Sequence, residues 1–338
     1  VIAPASAPRP AAQVRLLTMD HGEARLSFAR DLPQLLCPGD VVVVNDAATL
    51  PAAIPAILRG QPVELRLARM TEDPRRFEAI VLGPGHHRVR TEDRPPPPVN
   101  VGDELVAGHG LRARVTAISP RSPRLLEVVF ASPGGAVEAF HAALHRAGKP
   151  VQYAHVPGRL ALWDVQNVWA SVPWALEAPS AGLPLRGETL LALRARGIAV
   201  VAIRHSAGLS STGDAALDAQ LPLPERWRVS RAVRDTLRAA RARGGRVVAV
   251  GTSVVRALES AARAGGEEEG VTDLRIGADT ELRLVDAIVT GVHEDGTSHF
   301  ELLSAFASPA TLRRWLAVSA AADLRSHELG DLWLLRAR

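Results

Sequence analysis

The 338-residue sequence predicts an α/β protein of two domains, an α/β domain with a small antiparallel β-barrel domain inserted into it. Three observations carry that reading. After about residue 150, helices alternate with short apolar strands, the texture of βαβ units. From about 59 to 133 the chain shows short period-two strands between Gly and Pro turns and no helical period. Ahead of that change lies Val41-Val-Val-Val44, an all-apolar run of the kind buried in parallel sheets. The expected division is therefore 1–58 and 150–338 for the α/β domain and 59–149 for the insert. A chain of this length holds about two domains and buries a sizeable core.

The elements follow in order. Residues 1–14 are Pro/Ala-rich and read as an extended arm. Pro38-Gly39-Asp40 is a turn that launches Val41–Val44, and the strand stops at Asn45-Asp46. Val63–Leu67, Phe77–Leu82, Arg112–Ala117 and Leu125–Phe130 are the strands of the insert, and Pro95–Pro98 is a stiff exposed loop. Gly135 to Gly148 reads as a helix. Glu188 to Arg196 is a helix closed by Gly197 and followed by the strand Ile198–Ile203. Ser230 to Arg243 is a helix closed by Gly244-Gly245 and followed by the strand Val247–Val250. Gly265 to Gly270, with three glutamates, reads as a solvated loop, and no internal repeat is present.

Composition excludes several classes. The net charge is only +4, so no global field argues for nucleic acid. Lys149 is the only lysine among 40 basic residues, a bias read as GC-rich coding. Cys37 is the only cysteine, which rules out an intramolecular disulfide and any multi-cysteine metal site. No apolar run approaches the roughly 20 residues that span a bilayer. Val1 to Pro10 lacks a charged-then-apolar leader pattern, so a cytoplasmic location is expected. His141 and His145 have helical i,i+4 spacing but no third ligand nearby, and His293 and His299 are equally unsupported, so no metal is expected. Walker, G-x-G-x-x-G and G-x-S-x-G motifs are absent.

The most informative stretch is Arg246-Val-Val-Ala-Val-Gly251-Thr-Ser-Val-Val-Arg256. A buried strand ends at Gly251, Thr252 and Ser253 supply hydroxyls, and an Ala/Leu-rich helix follows. Free backbone N–H groups and the helix dipole meet there and favour a negative group. Arg256, about one turn into the helix, adds a planar cation. Polar residues punctuate three other apolar segments: Asn45-Asp46, Pro179-Ser180-Ala181-Gly182, and Val285 to His293 with Asp286, Thr290 and His293. Open α/β sheets bind ligands beyond their strand ends. The strands ending at Val250 and Asn45 and the one through Asp286 are therefore expected to lie together. Arg231, Arg234, Arg238 and Arg241 fall on one face of their helix, a solvated outer face or a contact for RNA phosphates.

Taken in order, Pro38–Asp46, Ala178–Leu183, Arg246–Ala261, Val285–His293, Leu303-Ser-Ala-Phe306 and Gly330-Asp331 resemble the S-adenosylmethionine:tRNA ribosyltransferase-isomerase family of queuosine biosynthesis. The resemblance runs from about 12 to 335 and implies the same fold, an α/β domain with an inserted β-barrel. It implies transfer of the ribosyl part of S-adenosylmethionine to a deazaguanine in tRNA. Rearrangement then gives epoxyqueuosine and releases adenine and methionine. The departures are specific. The family's Ala-Pro-Thr-Ala-Gly-Leu-His-Phe stands here as Ala178-Pro-Ser-Ala-Gly-Leu-Pro184-Leu185. Its His-x-Met-His-x-Glu stands as Gln220–Glu225, with only Glu225 kept, and the arginines of its Thr-Arg-Val-Ile-Pro-Ala-Arg are missing after Asn45.

Moving a ribosyl group off a sulfonium requires removing a proton beside sulfur and supplying one to the leaving adenine. Histidine suits both steps at neutral pH. The residues that the resemblance leaves for this work are His205 and His293, with Glu225 and Asp286 as partners. Asn45, Asp46, Pro179, Ser180, Ala181, Gly182, Gly251, Thr252, Ser253, Arg256 and Thr290 are expected to bind substrate. Two functions stay open: a transferase-isomerase or diverged transferase/lyase acting on S-adenosylmethionine or a similar adenosyl compound, or an inactive nucleotide- or RNA-binding module on the same scaffold.

Overall fold

The computed structural model describes residues 2–20, 23–131 and 136–337. Its frame is a nine-stranded sheet in the order Glu269–Thr272, Glu225–Arg228, Ala199–His205, Val41–Asn45, Val247–Val250, Ala287–Gly291, Leu332–Arg336, Arg15–Asp20 and Glu23–Phe28. The four central strands, Ala199–His205 through Ala287–Gly291, run parallel. Val41–Val44 and Val247–Val250 are fully buried, as a strand covered on both faces requires. One core cluster, with Val43, Ala249, Leu258 and Trp333, fills one side of the sheet. A second, with Val42, Val248, Leu193 and Leu334, fills the other.

The helices follow their sequence signals. Arg231–Ala242 begins at Ser230, whose side chain accepts from the Val233 N–H, and Gly244 beyond its end has φ +80°. Gly187–Ala195 is likewise followed by Gly197 at φ +72°. Val137–Ala147 forms the expected helix before Gly148, while Gly135 lies outside the described residues.

The insert is a closed six-stranded barrel of antiparallel strands. Its strands Gln61–Met70, Arg76–Leu82, Arg112–Ile118 and Leu125–Ala131 cover the four expected ones, and Glu104–Ala107 is a further strand that the sequence reading did not single out. Its core packs Phe77, Phe130 and Phe140 together, with the Phe77 and Phe130 rings edge to face at 5.9 Å. The barrel also takes in Ala53–Leu58, ahead of the expected start at 59. That strand alternates buried and exposed positions only over Ile54–Leu58, too short a run to separate from the preceding buried residues by pattern alone.

Over its described residues the 1–14 arm is docked: Ile2 and Ala5 are buried, Pro4 bridges Ser326, and Arg9 pairs with Asp331 at 2.9 Å. One local expectation needs correction. The end of the 265–270 loop is a strand. Glu269–Thr272 pairs with Glu225–Arg228 at the sheet edge, where exposed glutamates are compatible with a ladder on one side only. No helix of the described residues is long and apolar enough to cross a membrane.

Candidate active site

A cavity opens at the carboxyl ends of three central strands. His205 ends one, Gly251 follows the second, and Thr290 and Gly291 end the third. About 130 Å³ of it is open to the centre of a water molecule, well above the roughly 10–15 Å³ that a single water needs. The Pro179-Ser180-Ala181 turn forms one wall.

Gly251 makes the turn into the helix Thr252–Arg263. Its φ of +93° favours glycine, and an added Cβ would stand 3.5 Å from the Ala181 side chain. The Gly251 N–H donates to Val289 O at 2.8 Å, which fixes the turn against the neighbouring strand. No side chain caps this helix, and Thr252 and Ser253 both line the cavity. The positive end of the helix therefore meets the cavity with hydroxyls beside it.

Below it lies a buried charged cluster. Arg256, 6% exposed, donates through Nη1 to Glu225 and through Nε to Leu274 O at 3.2 Å. Glu225 also accepts the Gly208 N–H at 2.7 Å. His205 Nε2 stands 3.3 Å from Glu225 Oε2, off the hydrogen-bond direction. Burial raises the Glu225 carboxyl above its ordinary range against the pull of Arg256. Burial, followed by the Arg256 charge, holds His205 well below the usual imidazole range, so the ring is neutral at pH 7. Both His205 ring nitrogens and Arg256 Nη2 are buried without a hydrogen-bond partner among the described residues. Buried polar atoms are rarely left so, and here they border a cavity.

On the other side, Thr290 Oγ1 and His293 Nε2 are 3.0 Å apart, and the His293 ring stacks on His299 at 4.6 Å. Burial, then the neighbouring His299 and His327, keeps His293 well below its ordinary range. Burial also lowers His299.

A third group was not singled out from the sequence. Glu177 lines the cavity and accepts from Tyr153 Oη and from the Ser210 N–H at 2.9 Å, both on Oε1. Burial pushes Glu177 up to about 7, opposed by the Tyr153 and Ser210 bonds and assisted by the charge of Glu328. The available signals were slight: Tyr153 is the only tyrosine of the chain, and Glu177 interrupts an apolar run just before Ala178-Pro179.

Four expected residues lie elsewhere. Asp286 precedes the strand Ala287–Gly291, at the end opposite Thr290, and accepts the Val247 N–H at 2.8 Å. It fastens two strand starts, and the cavity is at their far ends. Asn45 turns sideways: it bonds both backbone groups of His205 at 3.0 Å and the Ala47 N–H at 3.1 Å. Asp46 holds Arg204 through two bonds, at 3.1 and 2.9 Å. Gly182 sits behind the wall, where a Cβ would come within 2.5 Å of the Trp169 ring. The remaining expected residues, His205, Glu225, His293, Pro179, Ser180, Ala181, Gly251, Thr252, Ser253, Arg256 and Thr290, all border the cavity.

Among the described residues one trio, His155, His327 and Glu328, brings a possible metal-ligand atom from each within 4.8 Å of the others. His155 Nε2 already meets Glu328 Oε2 at 3.1 Å, and the two imidazoles stack at 4.5 Å and 26°. Near-parallel rings do not converge their lone pairs on one point, so the trio reads as a His155–Glu328 hydrogen bond with a stacked neighbour.

Fold and cavity together define an α/β protein with an inserted β-barrel and a cavity at the carboxyl ends of its parallel strands. A family model described as queuosine biosynthesis protein matches residues 2–335, and the chain belongs to that family. It is 35% identical to the S-adenosylmethionine:tRNA ribosyltransferase-isomerase of Anaeromyxobacter dehalogenans strain 2CP-C, over 98% of this chain and 94% of that one. It is 31% identical to the protein of the same name from Moorella thermoacetica, over 97% and 94%. The crystal structure of S-adenosylmethionine tRNA ribosyltransferase from Thermotoga maritima shares the fold, with a TM-score of 0.52 and 23% identity over 98% of this chain and 95% of that one.

Proposed function

We propose that this protein is a transferase-isomerase that moves the ribosyl part of S-adenosylmethionine to a deazaguanine in tRNA and forms epoxyqueuosine, working in the cytoplasm. The observation that carries this reading is the convergence of unpartnered buried groups on one cavity. His205, Arg256 and the uncapped helix start at Gly251 all line it, and the His205 nitrogens and Arg256 Nη2 have no hydrogen-bond partner among the described residues. A ligand with a carboxylate, ribose hydroxyls and a purine has complementary groups for each. Arg256 Nη2 and the helix start suit the methionyl carboxylate. Neutral His205 and His293 and the Thr290 hydroxyl suit the nucleoside. The relatives named above carry this activity in their names.

Incubation with S-adenosylmethionine and tRNA bearing the deazaguanine is expected to release adenine and methionine in equal amounts, and only when the tRNA is present. No release under any condition, with S-adenosylmethionine still bound, would move the protein to the binding-module reading.

The same reading divides the chain into an α/β domain, 1–58 with 150–338, and an insert, 59–149, except that the barrel strand Ala53–Leu58 goes with the insert, and it has the tRNA crossing one or both. The basic helix is a weak candidate for that contact. Arg234 donates to Gly266 O at 2.6 Å, Arg241 to Arg283 O at 2.5 Å, and Arg238 pairs with Asp235 at 2.8 Å. These guanidiniums are exposed but already engaged. Changing Arg234, Arg238 and Arg241 to Gln is expected to leave tRNA affinity and its salt dependence unchanged between about 50 and 200 mM salt. A flatter salt slope in the triple variant would assign this face to the RNA.

A further inference from the structure

The reaction needs a group to take a proton from carbon beside a sulfonium, and the family's motif histidines at positions 184, 220 and 223 are Pro184, Gln220 and Leu223 here. Three carboxylates border the cavity: Glu177, Glu225 and Glu301. Glu225 is committed to Arg256 and Gly208. Glu301 is exposed. Glu177 lies in the wall with no cation paired to it among the described residues.

The groups around Glu177 orient it. Ser210 Oγ and the Ser211 N–H both donate to Tyr153 Oη at 3.2 Å, so the tyrosine's own hydrogen is directed to Glu177 Oε1. The Ser210 N–H reaches the same oxygen. Both of these hydrogen bonds fall on Oε1, and Glu177 itself lines the cavity. The charged groups facing this cluster are Glu328, held by His155 at 3.1 Å, and Arg66, whose guanidinium lies 5.6 Å over the Tyr153 ring and is bonded to Glu64.

We propose that Glu177 is the catalytic base of this enzyme, with Tyr153 and Ser210 as its positioning residues. The inference rests on the S-adenosylmethionine reading above. The C–H bond beside sulfur breaks, its electron pair stays on that carbon next to the sulfonium, and the proton forms an O–H bond with Glu177 Oε2. The substrate supplies both the proton and the stabilising positive charge, so no further reactant is needed. A carboxyl raised to about 7 by burial is a stronger base than an exposed one, and about half of it is ionised at neutral pH.

The test is hydrogen exchange in heavy water together with adenine release. Wild-type enzyme is expected to incorporate deuterium into bound S-adenosylmethionine at the carbon beside sulfur. Glu177→Gln keeps the acceptor facing Tyr153. It is expected to bind S-adenosylmethionine within a few-fold of wild type by calorimetry, and to slow both exchange and adenine release about a hundredfold or more. For wild type, kcat/KM is expected to rise with pH through a midpoint near 7, because the base acts when deprotonated. Tyr153→Phe removes a donor that favours the carboxylate, so it is expected to move that midpoint upward. A purely structural tyrosine would lower activity at every pH and leave the midpoint in place. Wild type active with Glu177→Gln equally active, or a Tyr153→Phe midpoint that does not move, overturns the assignment of Glu177. Wild type inert towards S-adenosylmethionine overturns the functional reading itself.

Discussion

Arg256→Ala is expected to destabilise the protein and to weaken S-adenosylmethionine binding, by two effects that can be separated. Arg256 and Glu225 are each 6% exposed and face each other. Removing the guanidinium leaves Glu225 buried with the Gly208 N–H as its remaining hydrogen bond. Breaking one half of a buried pair costs about 3–5 kcal/mol, most of it from the stranded charge. The second effect is on the ligand. Nη2 has no protein partner, so a charge-assisted bond to the methionyl carboxylate is lost, worth about 1.5–3 kcal/mol. That is roughly ten- to a hundredfold in affinity. Adding Glu225→Gln to Arg256→Ala removes the stranded charge and is expected to recover most of the stability in urea titrations while leaving the affinity loss in calorimetry. Equal affinity in wild type and Arg256→Ala would make this arginine a structural counter-ion alone.

This pair also marks where the sequence stops being informative. Arg256 is visible as a cation one turn into a helix, but its partner is 31 residues away, with the helix Arg231–Ala242 and the central strand Val247–Val250 between them. The sequence reading therefore gave its whole charge to the ligand. Elements whose signal is local were legible: the four-valine strand, the helices closed by Gly197 and Gly244, and the period-two strands of the barrel. The edge strand Glu269–Thr272 and its neighbour Glu225–Arg228 were not, because they are four residues long and carry charges on their exposed side. Asp286 and Asn45 lie off the cavity lining for a directional reason. A polar residue beside an apolar strand is plain in the sequence. The end of the sheet it occupies, and whether its side chain turns to the ligand or to the backbone, depend on which strands lie alongside. The Tyr153–Glu177 contact spans 24 residues and carries no periodic signal.

Glu259→Ala is expected to be the most damaging substitution outside the cavity lining, although Glu259 touches no ligand in this reading. It is fully buried on the inner side of the helix Thr252–Arg263. Its Oε1 accepts the N–H groups of Leu284 at 2.9 Å and Val285 at 3.1 Å, and its Oε2 accepts the Arg283 N–H at 2.9 Å. Arg263 supplies the opposite charge from one turn away. One carboxylate thus ties the helix that begins at Gly251 to the turn that feeds the strand Ala287–Gly291, and so holds Thr290 and His293 in line with Thr252. Truncation strands these backbone donors, each worth about 1–3 kcal/mol when left unsatisfied in the interior. A combined loss of at least about 3 kcal/mol is expected, since the Val285 bond is wholly buried and the Leu284 bond partly so. Glu259→Gln should recover only part of it. Both oxygens accept from backbone N–H groups, so whichever way the amide is placed, its NH₂ meets a donor. Urea unfolding of the three proteins is expected to rank them wild type, Gln, Ala. S-adenosylmethionine affinity is expected to fall in the same order as the two halves of the cavity lose their common anchor. A Glu259→Ala protein within about 1 kcal/mol of wild type would mean that water replaces the carboxylate at the 283–285 turn, and that the anchor lies in the strand pairing instead.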